Sequence, residues 1–171
     1  MSGDQGWTDR DDAAQCCPSL LGAVEDSEYL ARLIHSTIEE PKGNPFKREE
    51  MFPPKGEFSN VCGESHGTSL VRRDGISDEE LCDRASRQAE RKPGRVGRGA
   101  FVAKSAELRE IEHPDRPGEV AIRIYDDPMA TDQHHCVLRA SPVPRTLQSE
   151  IRNKVRALFN RHIISPDLAE A

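Results

Sequence analysis

Glu119-Val-Ala-Ile-Arg-Ile-Tyr125 and, beyond the loop Asp126-Asp-Pro-Met-Ala-Thr-Asp132, the run His134-His-Cys-Val-Leu-Arg-Ala140 decide the fold class. The first run alternates, with Val120, Ile122 and Ile124 on one side, as a strand with one buried face requires. The second is a strand of β-branched and apolar residues. The short polar loop between them lets the two pair antiparallel. Working outward, Thr68 to Arg73 reads as a short strand and Gly99-Ala-Phe-Val-Ala-Lys104 as a buried one. Residues 105–111 suit a helical turn, and His113-Pro-Asp-Arg-Pro-Gly118 a loop.

Three helices are expected between these strands. Ser77-Asp-Glu-Glu80 is a capping box, in which the Ser77 hydroxyl accepts from the N3 amide and Glu80 reaches back. That helix runs to about Arg91, where Pro93-Gly94 stops it, with Leu81, Cys82, Ala85 and Ala89 on one face. Leu30, Leu33 and Ile34 share a face at helical spacing behind the cap residues Asp26 and Ser27, which predicts a helix over 27–36. Leu147, Ile151, Val155, Leu158 and Phe159 form an amphipathic stripe over 145–162. The expected fold is α+β: a small, mostly antiparallel sheet with helices packed on one face, and a long irregular loop over 39–68. Pro41, Gly43, Pro45, Pro53, Pro54, Gly56, Gly63 and Gly67 break any period there, so the segment is expected to wrap the domain and pin itself with its aromatics. The organisation follows: a weakly ordered tail over 1–25, one domain over 26–163, and a tail over 164–171.

Composition bounds the function. The 171 residues carry a net charge of −6, and 32% are charged. An acidic chain repels nucleic acid unless a basic patch is concentrated somewhere. No run approaches the ~18 apolar residues of a membrane span, and the polar, acidic start lacks the apolar region of a secretory signal. A cytoplasmic location is therefore expected. The five cysteines are an odd number, with Cys16 and Cys17 adjacent, which suits reduced thiols better than a disulfide framework.

Several residues have the chemistry of a site. His134, His135, Cys136 and Asp127, with His66 from the long loop, are the side-chain types that bind transition metals, so a divalent ion is the candidate cofactor. The bland alternative is a buried Cys136 at a strand start with partly exposed histidines. Cysteine catalysis would need Cys62 or Cys136 to meet His66 or His135. Arg72 and Arg73 stand just ahead of a helix start, where an anion is attracted; their plain alternative is an ion pair with Asp74 or Asp78. Arg145, Arg152 and Arg156 lie along one line of the last helix and could meet nucleic acid. Lys92-Pro-Gly-Arg-Val-Gly-Arg98 is neither a phosphate-binding P-loop nor, through Gly97 and Gly99, a dinucleotide fingerprint.

The leading expectation is a protein-binding accessory subunit that presents the 39–68 loop and the last helix, through Phe52, Phe58, Leu158 and Phe159, to another protein chain. The second is a metal-dependent hydrolase acting on nucleic acid or nucleotide, with the ion activating water. The third is a nucleic-acid binder using the arginine line of the last helix, which the net charge disfavours.

Overall fold

A computed structural model of the chain describes residues 19–37, 46, 48–52 and 67–164. Eight strands and four helices alternate along it: β1 (Tyr29–Thr37), α1 (Arg48–Met51), β2 (Thr68–Arg72), α2 (Asp78–Glu90), β3 (Arg95–Lys104), α3 (Ser105–Arg109), β4 (Glu112–His113), β5 (Arg116–Val120), β6 (Ile122–Asp126), β7 (His135–Ala140), α4 (Arg145–Leu158) and β8 (Arg161–Ile163). Six strands form one antiparallel sheet in the order β6-β7-β2-β1-β3-β8, and β4 and β5 make a separate hairpin. The fold is α+β. No helix among the described residues is long and apolar enough to cross a membrane.

The sheet has a core on each face, so the helices are divided between the two faces rather than gathered on one. Successive strand residues point to opposite sides. Leu30, Leu70 and Ala103 accordingly pack with Ile124, Leu138, Ile151, Val155 and Phe159. Their neighbours Ala31, Val71 and Val102 pack with Leu81 and Cys82 of α2. The first core holds α4 and, from the described part of the long loop, Phe46 and Met51, both fully buried. The rings of Phe46 and Phe159 meet at 4.7 Å.

The serine half of the capping box forms, with Ser77 Oγ accepting from the Glu80 amide at 3.1 Å, while Glu80 Oε1 accepts from Arg84 and Arg87. The α2 backbone can approach the sheet because β3 carries Gly97 beneath it. A Cβ there would lie 2.6 Å from the Ser86 nitrogen.

Three expected elements change. Residues 29–37 are a strand, not a helix. β1 lies inside the sheet, with residues buried on both faces, and the extra residue at the register shift between Leu33 and His35 lies on β3, so β1 itself keeps its alternation. Leu30 packs in the first core and Leu33 against the second, so burial on both faces gives the Leu30, Leu33, Ile34 spacing that imitates a helix. The alternating run at 119–125 divides at Ala121, so Val120 belongs to β5 and is exposed while Ile122 and Ile124 enter the core. The segment 113–118 is correspondingly a hairpin rather than a plain loop. The last helix stops at Leu158, and Arg161–Ile163 turns back as β8 to pair with β3. Gly99, at φ +80°, makes room for it: a Cβ there would meet the Ile163 carbonyl oxygen at 1.8 Å.

Of the expected tails, residues 1–18 and 165–171 lie outside the described residues. Ser19–Glu25 is described, and Val24 joins the core.

Candidate active site at Ser69, His135 and Asp127

The pairing of three strands sets three side chains in a row. β6 and β7 pair with Asp126 opposite Cys136. Asp127 follows, and its amide donates to the His135 carbonyl at 3.1 Å, so Asp127 faces His135. β7 pairs in turn with β2, with His135 opposite Val71 and Val137 opposite Ser69. Ser69 and Val71 share a strand face, and Ser69 is therefore the diagonal neighbour of His135 on that face. The loop between β6 and β7 is held by reciprocal main-chain hydrogen bonds between Met129 and Asp132, at 2.9 and 3.0 Å.

The resulting contacts run Asp127–His135–Ser69. His135 Nδ1 lies 2.6 Å from the Asp127 carbonyl oxygen and 3.3 Å from its carboxylate Oδ2. A carbonyl oxygen only accepts, so Nδ1 carries a hydrogen. In the neutral ring Nε2 is then the acceptor, and it lies 3.2 Å from Ser69 Oγ. His135 and Asp127 are buried, at 8% and 3% exposure, whereas Ser69 is exposed. Burial works against the charged imidazolium. The Asp127 carboxylate close to Nδ1, the hydrogen bond to the Asp127 carbonyl and the charge of Asp132 outweigh it, so His135 titrates above an ordinary histidine.

Ser69 and His135 open into a cavity of about 430 Å³. One wall is α2, which contributes Arg84, Arg87, Gln88 and Arg91; the rim includes Met129, Thr131 and Asp132. A hydroxyl hydrogen-bonded to an imidazole that is itself oriented by a carboxyl residue is the arrangement that activates a serine for nucleophilic attack.

The metal candidates do not assemble in the described part of the chain. His135 and Cys136 are successive strand residues and point to opposite faces, Cys136 into the core beside Leu70 and Leu138. Burial there pushes the Cys136 thiol far above its ordinary pKa, which makes it inert as a nucleophile. His134 Nε2 lies 3.1 Å from the Asp74 carbonyl oxygen, away from His135. Among the described residues no group of three or more His, Cys, Asp or Glu could hold a metal ion. His66 and Cys62 lie outside the described residues. Of the metal candidates, the structure brings Asp127 and His135 together, but beside a serine.

The arginines divide. Arg72 is 1% exposed and is taken up by internal acceptors. Its Nε and Nη2 fork onto Glu28 at 2.8 and 2.5 Å, and its Nη1 donates to Asp126 Oδ1 at 3.1 Å and the Gly22 carbonyl at 2.6 Å. Arg73 pairs with Asp78. A second cavity, of about 480 Å³, lies beside them, but Glu25, Glu28 and Asp74 share its lining with Arg72, Arg73 and Arg161. Arg145 and Arg156 are exposed on α4 and Arg152 is half-buried. Among the interface candidates, Phe159 is core at 3% exposure, and Phe52 and Leu158 are half-buried against the same cluster. Phe58 lies outside the described residues.

Ser69 carries no sequence motif of its own. Its one signal is position: an outward-facing hydroxyl in a short strand, which gains meaning only once β2 is known to pair with β7. Compared with models of protein families, with curated proteins and with solved structures, the chain matches none.

Proposed function

We propose that the protein is a hydrolase of an ester-like acyl bond, with Ser69 as nucleophile, His135 as general base and acid, and Asp127 as the residue that orients His135. The observation that carries this reading is the 3.2 Å contact between Ser69 Oγ and His135 Nε2 at the wall of a cavity, with Nδ1 fixed by Asp127. Ser69 Oγ attacks the acyl carbon as its proton passes to Nε2. The imidazolium, favoured by Asp127, returns that proton to the departing alcohol oxygen. Water then attacks the acyl-serine, giving its proton to His135, and the acid leaves as Ser69 recovers its hydrogen.

This reading replaces the metal-dependent version of hydrolysis with one that uses the protein's own hydroxyl. It keeps His135 and Asp127, the two members of the His/Asp/Cys cluster that meet. The accessory-subunit reading used the 39–68 loop, most of which lies outside the described residues, and the α4 stripe as a free surface. With Ile151, Val155 and Phe159 in the core, a protein partner would need another face.

The test is covalent. The full chain is treated with diethyl 4-nitrophenyl phosphate, and the modified residue is mapped by peptide mass. One diethylphosphoryl group per chain on Ser69, lost in His135→Gln, is expected. Labelling of Ser69 no greater in the native chain than in the heat-unfolded chain would overturn the proposal.

A further inference from the structure

We infer that the substrate of this site carries an anionic group, a carboxylate or a phosphate, which is held by Arg87 and Arg91 of α2. This rests on the hydrolase reading and names the class of molecule it takes.

The chain as a whole has a net charge of −6, yet the cavity is lined by four guanidinium groups and a single acid, Asp132. Helical spacing explains how three of them gather. Arg84, Arg87 and Arg91 fall at i, i+3 and i+7, along one face of α2, which turns that face to the cavity. Their internal pairing is unequal. Arg32 meets Glu50 at 2.9 Å. Arg84 reaches Glu80 and Asp132, both at 3.0 Å. Arg87 shares that same Glu80 at 3.2 Å. Among the described residues three carboxylates thus face four guanidinium groups, and the positive charge is least balanced at Arg87 and Arg91, which are both exposed. A basic cavity in an acidic protein attracts an anion and turns away most cations. Guanidinium groups recognise carboxylate and phosphate oxygens through paired hydrogen bonds. Ser69 and His135 form part of the same lining, so an anion on α2 places the rest of its molecule beside the nucleophile.

The experiment compares two esters with the same leaving group, neutral 4-nitrophenyl acetate and anionic mono-(4-nitrophenyl) succinate. Rates are measured on the full chain, with Ser69→Ala giving the background. The expected kcat/KM ratio favours the anionic ester by about tenfold, reflecting lost ion pairing when its charge is absent. The ratio falls toward one in high salt and in R87Q/R91Q, and below one in R87E/R91E. Unchanged thermal melting of these exposed-site variants excludes misfolding as the cause. Cleavage that depends on Ser69 but shows no preference for the anionic ester, or a preference that survives R87E/R91E, overturns the inference and leaves the hydrolase reading in place. Cleavage of both esters by Ser69→Ala at the rate of the unaltered chain overturns the hydrolase reading, and the inference falls with it.

Discussion

The Nδ1 atom of His135 and the main-chain oxygen of Asp127 stand 2.6 Å apart, and the direction of that hydrogen bond decides the chemistry of the ring. With its hydrogen held on Nδ1, neutral His135 turns a lone pair toward Ser69. Protonated His135 offers Ser69 a donor instead and cannot act as a base.

Activity and stability should therefore respond to pH in opposite senses. His135 titrates above its ordinary value of about 6.5. The kcat/KM for an ester should rise with pH through an inflection above that value. The stabilisation due to the charged ring is complete below the unfolded-state pKa and is lost as pH rises through the folded one. The difference in melting temperature between the unaltered chain and His135→Gln, followed across pH, should shrink over the interval in which the rate climbs.

Asp127→Asn tests orientation apart from contact with substrate. The carboxylate that favours the imidazolium is removed, while the main-chain acceptor for Nδ1 stays. The kcat should fall by about 10²-fold or more, and the inflection of the pH–rate profile should move down. A lower rate with an unmoved inflection would show that Asp127 acts on the fold alone.

Arg72 balances the buried carboxylate of Asp126 and the half-buried one of Glu28. Arg72→Met should leave Glu28 and Asp126 without their cation and cost about 3–5 kcal/mol, read from denaturant midpoints. Burial opposes the Glu28 carboxylate, yet the Arg72 hydrogen bond and charge, with a backbone bond from Glu25, hold its pKa below the usual value. Its contribution is present above the unfolded-state pKa and is lost as pH falls through the depressed folded one. The gap in stability between the unaltered chain and Arg72→Met should accordingly narrow in acid.

Gly97→Ala should destabilise by about 1–3 kcal/mol, because its methyl group has no space against the α2 backbone at Ala85 and Ser86. Since α2 is also the arginine wall of the cavity, the variant should lose ester cleavage before it loses its far-ultraviolet dichroism.

Phe159→Ala separates core from interface on α4. With Phe159 packed on Phe46, the truncation should cost about 3–5 kcal/mol of folding stability. A variant as stable as the unaltered chain but unable to bind a partner would instead identify that side chain as a docking residue.

Local patterns in the sequence were legible where one rule acted alone. Ser77 and Glu80 announce the start of α2, and the arginine spacing on that helix follows from its period. The hairpin of β6 and β7 is visible in its two apolar runs and short loop, which already brings Asp127 near His135. The β1 strand was obscured because an interior strand is apolar toward both faces, which lets Leu30, Leu33 and Ile34 fall at helical intervals. Ser69 was hidden for a different reason. Its meeting with His135 depends on β2 pairing with β7 across more than sixty residues, a long-range registration that no local pattern encodes.

The Arg72 cluster also sets where the cooperative unit begins. Besides Glu28 and Asp126, the guanidinium group draws in main-chain oxygens of Gly22 and Ala23, and the Ser19 amide donates to Asp126 Oδ2 at 2.6 Å. The stretch ahead of β1 is thereby tied to the residue next to Asp127. A protease that cuts within 19–28 should be slowed by these bonds, and a chain shortened to begin at β1 should lose the geometry of the candidate site together with its first ten described residues.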